Sequence, residues 1–131
     1  MNVLLIDDDA VFRQTLARTL TRRGCVCFEA ADSAQALQQL QAHPLDACVL
    51  DLRMGDESGL QLLPQLLAIN AELNVLMLTG YSSIATTVEA IKRGAVNYLA
   101  KPASADDILR ALQNASASLE VESATAGNDA L

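Results

Sequence analysis

Short apolar runs alternate along the chain with longer stretches in which apolar residues recur at helical spacing. The apolar runs that predict β-strands lie at residues 3–6, 25–29, 47–50, 75–78 and 96–99. The stretches that predict amphipathic helices lie at residues 11–23, after 32–33, at 60–69, at 84–93 and after 104. Five strands that alternate with five helices predict an α/β domain, with an all-parallel sheet that helices cover on both faces.

Polar capping residues and chain breakers mark where these helices begin and end. Asp9 is suited to cap the first helix, and either Asp32 or Ser33 is suited to cap the second. The sequence that starts at Ser104 resembles a capping box and predicts the beginning of the last helix. Pro64 falls inside the third helical stretch, where it predicts either a first-turn position or a kink.

The periodic pattern fades near the end of the chain. Beyond about residue 115 the sequence consists mostly of small and polar residues, with little hydrophobic periodicity. A length of 131 residues suits a single domain. We therefore expect one domain at residues 1–115, followed at 116–131 by a helix end and a linker or disordered tail.

The composition excludes several classes of protein. Hydrophobic residues make up 51% of the chain but aromatic residues only 3%, so the core must be aliphatic. Sixteen acidic residues against nine basic ones give a net charge of −7 without a basic stripe, which predicts no direct binding to nucleic acid. No apolar run reaches the roughly 18 residues of a membrane span. These features predict a cytoplasmic protein that does not bind a membrane.

The three cysteines, Cys25, Cys27 and Cys48, lack the spacing of a zinc site or of a disulfide framework. They predict small buried side chains in a reducing compartment. A redox-sensing thiol is the alternative interpretation.

Polar residues that could bind a ligand or react follow four of the predicted strands. Asp7 and Asp8 end the first strand, Asp51 the third and Thr79 the fourth, while Lys101 follows the fifth. In open α/β sheets, ligands bind beyond the carboxyl ends of the strands. Each signal alone is also typical of an ordinary turn, but their occurrence at separate strand ends predicts that these residues converge at one site.

The chemistry of this set suits a phosphoryl group and a hard cation. Three carboxylates supply the oxygen ligands that Mg²⁺ prefers, and an aspartate can act as a phosphoryl-accepting nucleophile. A hydroxyl and an ammonium suit phosphoryl oxygens. Without metal the carboxylates should repel one another, so we expect at least one of the folded-state pKa values to be raised.

Four segments, LLIDDD, CVLDLRM, MLTGYSS and NYLAKPAS, resemble the receiver domain of bacterial two-component response regulators. The resemblance covers about residues 2 to 115 and implies the flavodoxin-like (βα)5 fold with strand order 2-1-3-4-5. It implies that Asp51 is the phosphoacceptor. It also implies that Asp7, Asp8 and Asp51 bind Mg²⁺ together with the main-chain carbonyl of Arg53.

The same resemblance implies roles for residues of the last two strands. Thr79 matches the hydroxyl that follows the phosphoryl group, and Lys101 matches the lysine that is usually followed by a cis proline, here Pro102. Tyr98 matches the aromatic residue whose rotamer reports phosphorylation. Gly55 departs from the pattern, because many relatives place proline there; we interpret this glycine as loosening the loop after Asp51.

The segment from Leu78 to Leu109 is especially similar to the redox-responding global regulators of proteobacteria. The receiver resemblance implies a phospho-switch and not a metabolic enzyme, with a sensor histidine kinase as the donor of the phosphoryl group. The similarity to the global regulators implies that a helix-turn-helix domain outside this chain acts on transcription. A phosphorylation-dependent homodimer is a candidate assembly. One alternative is a stand-alone or degenerate receiver that serves as an interaction scaffold. An aspartyl-phosphate hydrolase is a weaker alternative, because Arg53 stands where such enzymes place a second aspartate.

Overall fold

A computed structural model describes residues 1–80 and 83–113 of the chain. In chain order the strands are β1 (Asn2–Ile6), β2 (Val26–Ala30), β3 (Ala47–Leu50), β4 (Arg53–Met54), β5 (Glu57–Ser58), β6 (Asn74–Thr79) and β7 (Asn97–Ala100). The long strands form one parallel sheet in the order β2-β1-β3-β6-β7. This is the predicted order 2-1-3-4-5, with a small antiparallel ribbon of β4 and β5 inserted after β3.

The helices are α1 (Ala10–Arg22), α2 (Ser33–Ala42), α3 (Gly59–Ile69), α4 (Ile84–Lys92) and α5, which is described at residues 105–113. Asp9 and Asp32 cap α1 and α2 through side-chain bonds from the amides of Phe12 and Gln35. At α5, the amide of Asp107 donates to Ser104 Oγ, as the capping-box sequence predicts. Local capping chemistry thus fixes where these helices begin.

The sheet is buried on both faces, and alternate strand residues point to opposite sides. Leu4 and Ile6 of β1 belong to one core cluster, with the buried residues of α2, α3 and α4. Val3 and Leu5 belong to the other cluster, with the buried residues of α1 and α5. This period of two explains why the central strands are continuously apolar: each residue faces a covered side.

Pro64 lies in the interior of α3, not in its first turn. Proline has no N–H to donate, so the carbonyl four residues earlier, that of Leu60, loses its helical partner. Arg93, at the C-cap of α4, supplies the replacement: its Nη1 lies 2.8 Å from the Leu60 carbonyl oxygen. A contact from the neighbouring helix thus replaces the hydrogen bond that the proline removes.

Two further predictions concern membrane-spanning helices and the end of the chain. Within residues 1–80 and 83–113, no helix has the length and apolar character needed to cross a bilayer. The predicted tail at 116–131 lies outside the described residues.

Candidate functional site

The ends of four neighbouring strands bring the predicted residues to one edge of the sheet. Asp7 follows β1, Asp51 follows β3, Thr79 ends β6 and Lys101 follows β7. Asp7, Asp51 and Thr79 are almost fully buried, with 5%, 6% and 0% of their surface exposed. Asp8, in contrast, is exposed at the mouth of the site. Parallel strands point their carboxyl ends the same way, which is why residues so far apart in sequence meet here.

Three carboxylates form a cluster at this edge. One oxygen from each of Asp7, Asp8 and Asp51 lies within 4.8 Å of the others. They open into a cavity of about 470 Å³, which Arg53 of β4 also lines. Asp9 borders the cavity too, but its carboxylate accepts the Phe12 amide at the start of α1. A set of three close carboxylate oxygens is chemically suited to a hard divalent cation.

The side chain of Lys101 contacts two carboxylates of the acidic cluster. Its Nζ lies 2.7 Å from Asp7 Oδ2 and 3.5 Å from Asp51 Oδ2, and it also sits 4.4 Å from the centre of the Phe12 ring. Burial alone would lower the pKa of this ammonium, but its contacts with the two aspartates raise it overall. The lysine is therefore firmly cationic. Its peptide bond to Pro102 is cis, as the resemblance implies.

The carboxyl of Asp51 has a raised pKa, as expected for one member of the cluster. Burial is the main cause, and the nearby charge of Asp7 adds to it. Lys101, the Thr79 hydroxyl and the Arg53 amide act in the opposite direction without cancelling the shift. Asp51 is thus a shielded carboxylate that faces both a second anion and a cation.

The β4–β5 ribbon holds the outer side of the cavity, a feature that the sequence pattern did not reveal. The amide of Gly55 donates to Asp8 Oδ2 at 2.8 Å, and Glu57 Oε1 accepts the Ser33 amide at the start of α2 at 2.9 Å. Proline has no N–H, so a proline at position 55 could not hold Asp8 in this way. Gly55 therefore ties the loop to the site, which differs from the loosening we inferred from sequence.

Two further residues support the site without belonging to the predicted set. Arg13 on α1 donates from Nη1 to the main-chain oxygen of Asp7 at 2.7 Å, and its Nε lies 2.9 Å from Glu29 Oε1. Gly59 begins α3 so close to Asp51 that an added Cβ would overlap the main-chain oxygen of Asp51. Hydrophobic periodicity reveals neither contact; the glycine at the start of α3 is the one sequence signal that could have pointed to the second.

Tyr98 is half-buried on β7, next to the strand that ends in Thr79. Its hydroxyl lies 3.2 Å from Thr86 Oγ1 of α4. Together with Ile84, Val88 and other residues of α4, Tyr98 lines an open groove of about 470 Å³. The predicted switch residue therefore lies between the acidic site and an outer face of the domain.

Comparisons with known proteins show the family to which the chain belongs. Residues 3–113 match the model of the response regulator receiver domain. The chain is 42% identical over 111 residues to the acid tolerance regulatory protein ActR of Sinorhizobium medicae, covering 85% of this chain and 57% of that protein. It is 40% identical over 111 residues to the photosynthetic apparatus regulatory protein RegA of Cereibacter sphaeroides, covering 85% and 60%.

The fold is likewise similar to a solved structure, a response regulator protein from Burkholderia pseudomallei with a phosphorylated aspartic acid, calcium ion and citrate. The two have a TM-score of 0.85 and 45% identity, over 94% of this chain and 72% of that one. The chain spans about three fifths of the curated relatives named above. The fold, the acidic edge and these similarities together place the chain in the response regulator receiver domain family.

Proposed function

We propose that this chain is the phospho-switch of a two-component signalling system, with Asp51 as the phosphoacceptor. The observation that carries the proposal is the meeting of Asp7, Asp8, Asp51, Thr79 and Lys101 at one edge of the sheet. The phosphorylated aspartic acid in the Burkholderia pseudomallei structure supports the same chemistry. In this role the domain changes only its own phosphorylation state and is not a metabolic enzyme.

The residues of the site divide the work of phosphoryl transfer. An Asp51 carboxylate oxygen attacks the phosphorus, the bond from phosphorus to the donor breaks, and the donor leaves with the electron pair. Lys101 and Thr79 bind the phosphoryl oxygens, because both already contact Asp51. Asp7, Asp8, Asp51 and the main-chain carbonyl of Arg53 would hold Mg²⁺, and the bound ion would neutralise part of the negative charge of the carboxylates and of the phosphoryl group.

A sensor histidine kinase is the proposed donor, and transcription is the proposed output. ActR and RegA, both named as regulatory proteins, are longer than the matched region, which supports an output domain outside the receiver. The acidic net charge supports the view that this chain does not bind nucleic acid itself. We propose a cytoplasmic location, which fits a receiver domain that meets a kinase there.

Asp51→Asn should abolish phosphorylation by acetyl phosphate with Mg²⁺, because the amide lacks the nucleophilic oxygen. Intact-mass spectrometry of the wild type should show a lasting gain of one phosphoryl group. Asp56→Asn, which changes an exposed carboxylate of the ribbon, is the matched control and should be labelled like the wild type. Full labelling of the Asp51→Asn variant would rule out the proposed acceptor.

The same experiment separates the alternatives. A hydrolase would consume acetyl phosphate continuously without accumulating the phosphorylated form. A scaffold would neither gain mass nor consume the donor. The complete set of site residues favours the switch over both.

Phosphorylation is proposed to rearrange the face formed by α4, β7 and α5. The phosphoryl group draws Thr79 inward, and Tyr98 then fills the space that Thr79 leaves. This is a two-state element biased by a local charge. Beryllofluoride, a phosphoryl mimic, should shift amide resonances across residues 84–111; shifts restricted to the loop after Asp51 would contradict this rearrangement.

A further inference from the structure

The Tyr98 hydroxyl contacts α4 at its first turn. Its Oη lies 3.2 Å from Thr86 Oγ1. Tyr98 pairs with Met77 in the register of β7 and β6, two positions before the pair of Ala100 with Thr79. Residues two apart on a strand face the same side, so Tyr98 and the Thr79 position share one face of the sheet. The Thr86 contact therefore lies on the proposed route from the site to α4.

Thr86 is also one half of the capping box of α4. The Ser83 amide donates to Thr86 Oγ1 at 3.0 Å, and the Thr86 amide donates to Ser83 Oγ at 3.1 Å. Thr86 Oγ1 lies in addition 3.0 Å from Ser83 Oγ and 3.1 Å from the Ser83 carbonyl oxygen. One hydroxyl thus serves both the switch tyrosine and the start of the helix.

A threonine hydroxyl has one proton and two lone pairs, and so it makes at most three full hydrogen bonds. Four polar atoms lie within hydrogen-bonding distance of Thr86 Oγ1. Tyr98 therefore shares this oxygen with the cap. If the Tyr98 side chain moved away, the hydrogen bonds of Thr86 Oγ1 would shift toward Ser83, which caps the first turn of α4.

We propose that Thr86 is a positioning residue that holds Tyr98 in the half-buried position seen here and couples Tyr98 to the N-terminus of α4. This inference rests on the proposed phospho-switch and names a residue through which it reaches the helix. The coupling also reaches the groove beside Tyr98, because Ser83, Ile84 and Thr87 of the same turn line that groove. Loss of the Thr86 hydroxyl should therefore favour the state in which Tyr98 has moved inward.

The two tyrosines of the chain, Tyr81 and Tyr98, make the position of Tyr98 measurable. Protein labelled with 3-fluorotyrosine should give two ¹⁹F NMR resonances, which Tyr81→Phe assigns. In Thr86→Val the Tyr98 resonance of the free protein should move toward its beryllofluoride-bound position. Half-saturation should then need at least about threefold less beryllofluoride in the presence of Mg²⁺, because the competent state is more populated. Thr86→Ser keeps the hydroxyl and should resemble the wild type.

Ser83→Ala separates positioning from simple capping. It removes the acceptor of the Thr86 amide but keeps the contact between Thr86 and Tyr98. Ser83→Ala also removes one of the atoms that share Thr86 Oγ1 with Tyr98, so a positioning role predicts that the Tyr98 resonance stays in place or moves away from its beryllofluoride-bound position. If Ser83→Ala moves this resonance toward the beryllofluoride-bound position as far as Thr86→Val does, damage to the cap explains both and the inference is overturned.

The remaining outcomes distinguish the inference from the function on which it rests. If beryllofluoride does not move the Tyr98 resonance in the wild type, the proposed switch fails. If the wild type responds but Thr86→Val matches it in both resonance and half-saturation, only the role of Thr86 is wrong.

Discussion

Asp51 carries a carboxylate that is shielded from water and faces a second carboxylate, that of Asp7. Its raised pKa has a direct consequence for stability. Below the unfolded-state pKa, about 3.9 for aspartate, the group is protonated in both states and costs nothing. The penalty appears as the pH rises through that value and is complete above the folded-state pKa. In metal-free protein the ionised cluster is therefore a local source of instability at neutral pH.

Asp51→Asn should remove this penalty. Between acid and neutral pH the free energy of unfolding of the metal-free wild type should fall relative to that of the variant, because only the wild type gains a buried charge. Lys101 retains its shorter contact, to Asp7, in the variant. Urea unfolding at several pH values in the presence of a chelator measures the difference. Asp56→Asn should follow the wild type; a constant difference between wild type and Asp51→Asn across the pH range would contradict the account.

The residues that meet at the site were predictable where polarity changes abruptly at the end of an apolar strand. Asp51 and Thr79 are of this kind. The Gly55 amide, the Arg13 guanidinium and the Thr86 hydroxyl were not, since their roles depend on hydrogen bonds that the hydrophobic pattern does not encode. Sequence patterns record which side chains are present at strand ends, but not which main-chain groups approach them.

Arg93 of α4 supplies the hydrogen bond that Pro64 removes from α3. Arg93→Gln should lower the free energy of unfolding by about 1–2 kcal/mol, because the Leu60 carbonyl loses a charged donor. In a Pro64→Ala background the new amide can bond that carbonyl within the helix, so the same change should cost less. The expected coupling is roughly 0.5–1.5 kcal/mol.

A double-mutant cycle measured by urea unfolding tests this pairing. The ion pair of Arg93 with Glu89 is present in both backgrounds and cancels in the cycle. Additive effects of Pro64→Ala and Arg93→Gln would show that the guanidinium does not replace the missing helical bond. Arg110→Gln, which changes an exposed side chain of α5, is the control and should not couple to Pro64.

Most elements follow from hydrophobic periodicity and capping, and the structure places them within one or two residues of their predicted bounds. The β4–β5 ribbon is the exception. Each strand has two residues, too few to show an alternating pattern, and its existence depends on the turn at Gly55, where φ is +59°. The strand order was implied by family resemblance, since periodicity alone does not order parallel strands.

In the domain as a whole, two aliphatic cores pack against the parallel sheet, and the carboxyl edge of that sheet carries the acidic cluster. The sheet is anchored from both faces, by α1 and α5 on one side and by α2, α3 and α4 on the other. The repulsion among Asp7, Asp8 and Asp51 therefore destabilises the folded domain as a whole and not a separate flexible segment. A ligand that binds only the assembled edge should stabilise the entire domain.

Mg²⁺ should accordingly raise the free energy of unfolding of the wild type by RT ln(1 + [Mg²⁺]/Kd), roughly 1–3 kcal/mol near saturation. For a domain of this size, that corresponds to an increase in Tm of several degrees, about 3–10 °C. Asp8→Asn removes a charged ligand but leaves the buried Asp7 and Asp51 in place, so it should lose most of the gain. At neutral pH this variant should also melt above the wild type when metal is absent, because one repelling charge is gone. Asp56→Asn, in contrast, should gain as much from Mg²⁺ as the wild type. Thermal melting of the three proteins with Mg²⁺ or with a chelator decides the matter: a wild type that gains nothing from Mg²⁺, or a metal-free Asp8→Asn that melts below it, would show that the acidic edge is not built around a cation.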